Sequence, residues 1–293
     1  MPVCGMTATA TRRPRLYRFI GLAGLIACLT CGCSRENQVE TFYAMGGIPV
    51  HIIASGASEE WLAAEAGIAA AAVEMWEDEL SQYRPDSAVN RIARGGTDSP
   101  VTFTERGWEA IDFAHRMEIL TGGAFDVTVG PVIKIWKAVE KENRVPEPET
   151  IRRALAVTGF EHLVLDPATR SVRFNPDSFI ETGETLPEIR LDVGGFAKGM
   201  FADWLMEQAL ASAARDGEPI RKLLIELGGD MVVYSASPEK PCRVGIRDPF
   251  SSDPDALWGI VHLERGAVVT SGTYERHFLI GGRKYCHIVD PET

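Results

Sequence analysis

The sequence predicts a mixed α and β chain, and two observations carry that reading. Helical spacing of apolar residues is concentrated before residue 210, over 58–82, 104–120 and the run from Met200 to Ala209. After residue 222 the pattern changes to short apolar segments punctuated by glycine pairs, a β-rich half. At 293 residues there is ample length to bury a core, and 45% hydrophobic with 24% charged residues is ordinary for a globular protein.

The first 32 residues differ from the rest. Arg12, Arg13, Arg15 and Arg18 precede an apolar run from Phe19 to Leu29, with no acidic residue among them. A basic lead and an apolar stretch too short to span a bilayer read as an export signal. Thr30-Cys31-Gly32-Cys33 follows, and a small residue before cysteine is what a lipoprotein signal peptidase needs. Cys33 is therefore the expected lipidated first residue of an exported, membrane-anchored protein facing the periplasm or cell exterior. Residues 33–40 are expected to form a polar tether and residues 41–293 the folded domain. Loss of the leader's four arginines takes the net charge from −11 to −15, which excludes a nucleic-acid partner and favours a cation beside any polyanionic ligand. Of six cysteines only Cys242 and Cys286 lie in the body of the chain, and their pairing is left open.

The elements follow in order. Val50 to Ile53 reads as a strand after Met45-Gly46-Gly47. Trp61, Leu62, Ile68, Val73, Trp76 and Leu80 mark one face of the helix over 58–82. Tyr83 then sits in a loop closed by Pro85, where an aromatic ring can stack on a flat ligand. Thr104 caps the next helix and Gly122-Gly123 stops it. Residues 149–158 form a short helix ended by Gly159. A hairpin follows, from His162 to Leu165 and Val172 to Phe174, and 179–187 is a loop. The lead-in Arg190-Leu191 reads as a strand broken by Gly194-Gly195 before the helix that contains Met200, Phe201, Trp204 and Leu205. Strand, Gly-Gly, helix lets backbone approach an anion at a helix N-terminus, with Lys198 in the first turn. Asp192, on the strand side, is placed to bind a sugar or base edge or to help hold a cation. Later strands cover 223–227 and 231–234, the segments 243–249, 258–263 and 267–272 continue the β-rich half, and a final hairpin turns at Gly281-Gly282. His287, close to Asp290, has the chemistry of a general base.

Several of these segments resemble one family. Asp192-Val193-Gly194-Gly195-Phe196-Ala197-Lys198-Gly199 is similar to the D-x-G-G-x-A-K-G motif of the ApbE family, the FAD:protein FMN transferases. Leu80-Ser81-Gln82-Tyr83-Arg84-Pro85-Asp86-Ser87 and Gly122-Gly123-Ala124-Phe125-Asp126-Val127-Thr128-Val129-Gly130-Pro131 resemble two further family segments. Leu227-Gly228-Gly229-Asp230, Val244 to Pro249, Ala267 to Gly272 and His287 to Thr293 follow in the family's order. Gly47 departs from the usual Met-Gly-Thr.

The resemblance implies an α+β fold, antiparallel sheets with flanking helices, related to the T-fold. It also implies transfer of FMN from FAD to a Thr or Ser hydroxyl of a target protein, with AMP released and Mg²⁺ assisting. Carried over position by position, Met45, Tyr83, Ala124, Phe125, Asp126, Asp192, Lys198 and Ile288 contact FAD. Gly195 offers its carbonyl to the metal and His287 is the base. The family continues past the position of Thr293 with a D-x-x-x-T metal motif, so the chain is expected to be incomplete at its C-terminus. An open sheet edge or bare core surface is expected there. The alternative reading is a lipoprotein that binds FAD without cleaving it.

Overall fold

The computed structural model describes residues 37–95, 99–179, 189–253, 255–272, 277–286 and 288–291. It begins with β1 (Asn37–Ala44), β2 (Ile48–Ser55), α1 (Glu59–Leu80), α2 (Ala88–Gly95), β3 (Val101–Thr102) and α3 (Glu105–Thr121). Next come α4 (Gly130–Glu142), α5 (Pro148–Leu155), β4 (Leu163–Asp166), β5 (Ser171–Phe174) and α6 (Ala197–Asp216). The rest is β6 (Lys222–Leu227), β7 (Asp230–Ser235), β8 (Cys242–Arg247), β9 (Leu257–Leu263), β10 (Arg265–Val268), β11 (His277–Ile280) and β12 (Arg283–Cys286). Among the described residues one sheet has the order β1-β2-β6-β7-β10, with antiparallel pairing throughout.

Alternation gives this sheet two apolar faces. Val50, Ile52, Leu223, Ile225, Leu227 and Val232 join the main core, with Trp61, Leu62 and Trp76 of α1 and Phe201, Leu205 and Ala209 of α6. Leu224, Met231 and Val233 point the other way and form a smaller core with Cys242 and Val244 of β8. Helices thus cover one face and the β8–β9 hairpin covers the other. The three-stranded sheet β3-β5-β4 stands apart, beside α2. On β9, Leu257, Trp258, Ile260 and Val261 are exposed.

α1 is capped by Ser58, whose hydroxyl accepts the N–H of Trp61, and α3 by Thr104, which accepts from Gly107. Gly122 ends α3 in the left-handed conformation, as the glycine pair predicts. The buried stripe of α1 differs from the predicted one. Ile68 is exposed, while Glu65, Ala66, Ala69 and Ala72 are buried. Small alanines let α1 lie close to its neighbours, and Glu65 accepts a hydrogen bond from Ser212 of α6 at 2.5 Å.

Other expectations also shift. The tether gives way at Asn37, because Asn37 to Glu40 pair with Ser55 to Ile52 in the β1–β2 ladder. Gly130–Glu142 is a helix with proline in its first turn, an element that the sequence reading left unassigned. The third helix of the middle region stops at Leu155 and a 3₁₀ turn, Phe160–His162, follows Gly159. Arg190-Leu191 is not a strand. Ile189, Leu191 and Val193 do alternate into the core, but the segment crosses the start of α4 instead of joining a ladder. A Cβ on Gly130 would lie 2.4 Å from the Arg190 carbonyl, so only glycine permits that crossing. The expected 179–187 loop lies almost wholly outside the described residues.

Candidate active site

The site forms where the 189–193 segment crosses the corner between α3 and α4. The N–H of Asp192 donates to the Val127 carbonyl at 2.6 Å, which fixes the backbone at the entrance to α6. The Asp192 carboxylate, 13% exposed, then accepts from the Gln82 side-chain amide and from the Gly194 N–H at 2.9 Å. Lys137 of α4 lies 4.0 Å away from its second oxygen. One carboxylate therefore ties the loop after α1, the start of α6 and α4 together.

The Gly194-Gly195 bend leads into α6, and no side chain caps that helix at Phe196. A 20-residue helix with an uncapped N-terminus favours negative charge in front of it. Lys198 lies in its first turn, as predicted. Its ammonium is not free, however: it is paired with Asp230 at 2.5 Å. Asp230 follows the Gly228-Gly229 turn between β6 and β7, whose residues have φ of 56° and 99°. Two consecutive positive φ values are the pattern of a tight two-residue hairpin that glycine alone adopts readily.

Aromatic groups line the approach. Phe125 is partly buried against the core, and a Cβ on Gly195 would be 3.7 Å from its ring. Phe196 stands edge-on to it, centroids 6.0 Å apart. Tyr83 is 76% exposed, with the Lys137 ammonium 5.9 Å from its ring centroid. Ala124 is exposed beside Phe125. Met45 occupies the β1–β2 turn at φ 50°, uncommon for a side chain of this size, and packs partly against the core. That turn and Gly228 are at one end of the sheet, where a Cβ on Gly228 would meet Ile48 at 2.9 Å.

Asp126 plays a local part. Its carboxylate accepts from the Thr128 N–H and hydroxyl, both at 2.7 Å, and so starts the 3₁₀ turn Val127–Val129. Burial is the largest influence on this carboxyl and holds its pKa above the usual value, against the two Thr128 hydrogen bonds.

The structure thus brings together Tyr83, Phe125, Asp126, Asp192, Gly195 and Lys198, with Ala124 beside them and Met45 on the neighbouring turn. Ile288 is exposed after β12. Tyr285, in β12, packs on Trp136 of α4 with centroids 5.2 Å apart, which docks the last hairpin beside Lys137. His287 and Cys33 lie outside the described residues. Sequence reading missed Gln82, Lys137 and Asp230, which hold the predicted residues in place. Gln82 and Asp230 both lie inside segments that resemble the family's motifs, which is the available signal; Lys137 has none.

Residues 47–293 match the model of the ApbE family. The chain belongs to that family. A curated FAD:protein FMN transferase of Klebsiella pneumoniae is 31% identical over 221 residues, 75% of this chain and 63% of the relative. One of Vibrio cholerae is 30% identical over 223 residues, 74% and 60% of the two chains. The chain therefore spans less than two thirds of the length of either. The crystal structure of the ApbE protein of Thermotoga maritima superposes with a TM-score of 0.72 at 28% identity, covering 88% of this chain and 77% of that one. Flavin transferase ApbE of Vibrio cholerae gives 0.69 at 25% identity, with the same coverage. The α+β ApbE fold, antiparallel sheets with flanking helices, is the fold of this chain.

Asp126 gives a prediction about pH. An aspartate held above its ordinary pKa of 3.8 favours the fold when protonated. Its contribution is fully present below pH 3.8 and is lost as pH rises through the folded-state value. Asp126→Asn keeps an acceptor for Thr128 but cannot ionise. Denaturant unfolding across this pH range should show the variant gaining stability relative to wild type as pH rises. A difference that does not change with pH would contradict the burial account.

Proposed function

We propose that this chain is an FAD:protein FMN transferase. The observation that carries the reading is the meeting of four segments distant in sequence: the loop at Gln82-Tyr83, the corner at Phe125-Asp126, the Asp192-to-Lys198 bend, and the turn at Asp230. Together they offer a carboxylate for a hydroxyl or amine edge, aromatic surface for flat rings, and a cationic helix N-terminus for a pyrophosphate. The relatives' names, FAD:protein FMN transferase, support the same substrate.

In the proposed reaction a Thr or Ser hydroxyl oxygen of a target protein attacks the FMN-side phosphorus of FAD. The bond from that phosphorus to the bridging oxygen breaks, AMP leaves with that oxygen, and FMN remains as a phosphoester. The hydroxyl proton passes to a base, the role that resemblance gives to His287. The α6 N-terminus and Lys198 would face the charge that builds on the phosphate oxygens.

Resemblance also implies Mg²⁺, and the described residues do not supply a full donor set for it. Gly195 offers one carbonyl and Asp192 a carboxylate that Gln82 and Gly194 engage through one oxygen only, and among the described residues no group of three or more His, Cys, Asp or Glu could hold a metal ion.

The same proposal places the protein outside the cytoplasmic membrane, anchored through lipid on Cys33. The basic, apolar and cysteine-terminated leader motivates it. Cys33→Ser should move the protein from the membrane fraction to the soluble one on ultracentrifugation, because the acyl chains are the anchor. Undiminished membrane association would contradict the anchor.

Lys198→Ala tests the flavin reading. It removes a cation facing phosphate and leaves Asp230 as an unpaired negative charge near it. FAD affinity, measured by quenching of flavin fluorescence, should fall by about 1.5–3 kcal/mol, the size typical of charged hydrogen bonds. FMN incorporation into an acceptor protein at subsaturating FAD should fall in step. Unchanged FAD affinity would show Lys198 to be a structural partner of Asp230 alone. Binding of FAD without any transfer by the wild type would favour a flavin carrier instead.

A further inference from the structure

The other side of the same turn carries a polar array that the flavin-site reading does not use. Glu226 is the one acidic residue of β6, and its side chain is 12% exposed on the sheet face opposite α6. One carboxylate oxygen accepts the N–H of Gly229. The other lies 3.7 Å from His51 Nε2, and His51 Nδ1 is 2.8 Å from the Thr41 hydroxyl. These residues stand opposite one another in the ladders, Thr41 to His51 and His51 to Glu226. A line of polar contacts therefore runs across three strands and ends on the backbone of the Gly228-Gly229 turn.

We propose that Glu226, held by His51, is a positioning residue for the phosphate end of the flavin site. This rests on the reading of that site given above. The turn is two glycines long and both residues sit at positive φ. Such a turn has little of its own to hold it, since glycine gains the most conformational freedom when released. The Glu226 carboxylate grips it at the Gly229 N–H. The next residue, Asp230, extends to the opposite face and holds Lys198 at 2.5 Å. The turn is thus clamped from both faces of the sheet, and the geometry of Lys198 follows from Glu226. Without the carboxylate the Gly229 N–H loses its partner and Asp230 loses its fixed direction. His51 stands beside the second oxygen at 3.7 Å and narrows the directions in which the carboxylate can turn.

The test uses Glu226→Ala and Glu226→Gln in the full chain, with and without Lys198→Ala. Glutamine keeps an acceptor for Gly229 and should stay close to wild type. Hydrogen–deuterium exchange without ligand should show the Glu226→Ala turn, residues 228–230, exchanging faster, with the β6 and β7 strands little changed. FAD affinity should fall several-fold in Glu226→Ala, and the loss should vanish when Lys198 is already alanine, since both act through one contact. His51→Ala should shift exchange in the same direction by a smaller amount and serves if Glu226→Ala does not fold. Losses that simply add in the double variant, or a turn whose exchange ignores Glu226, would overturn the proposal. A wild type that takes up no FAD would remove the flavin reading, and the exchange measurement would then decide this one.

Discussion

The contact on which the rest depends is the crossing of two chain segments some sixty residues apart, Val127 to Gly130 and Arg190 to Asp192. It is fixed by one short backbone hydrogen bond, Asp192 N–H to the Val127 carbonyl at 2.6 Å, and by the absence of a side chain at Gly130. Any Cβ at residue 130 would collide with the Arg190 carbonyl. The crossing sets where α6 begins, and so where its uncapped N-terminus points. It also sets Asp192 within reach of Gln82 on one side and Lys137 on the other.

Around that crossing the molecule arranges polar groups without leaving them loose. Asp192 gathers donors from two different elements, and Lys198 is matched by Asp230. Such pairs, partly shielded from solvent, hold a geometry ready for a ligand, although each is worth little as stability. The main core supplies the rigidity. α1 and α6 share one core with the sheet and are joined to each other by the Trp76–Phe201 edge contact at 5.5 Å, which holds the start of α6 in place. Site and core are therefore one construction.

Much of this was legible in the sequence, where local rules and motif letters agreed. Thr104 as a cap, Gly122 as a stop, and the glycine pairs at 228–229 and 281–282 all act as their chemistry predicts. What was hidden depended on tertiary context. Ile68 looked like core, yet the alanines decide which stripe of α1 can approach its neighbours. Ile189, Leu191 and Val193 carry strand-like alternation, but a crossing buries alternate residues as well as a ladder does. Lys198 read as a cation awaiting phosphate. Its pairing with Asp230 required knowing that the β6–β7 turn lies against the first turn of α6. Lys137 offered no pattern at all, since a lone lysine on a helix says nothing about the carboxylate it will meet.

In the proposed function the Asp192 bend and the α6 N-terminus hold the pyrophosphate of FAD. The most direct measurement is a crystal structure of this chain soaked or grown with FAD. The account predicts the pyrophosphate in front of Gly195 and Lys198, with a ring system against Phe125 or Tyr83 and Asp192 bonded to the ligand. FAD bound at another face, with the Lys198–Asp230 pair and Asp192 unaltered and without ligand contact, would contradict it.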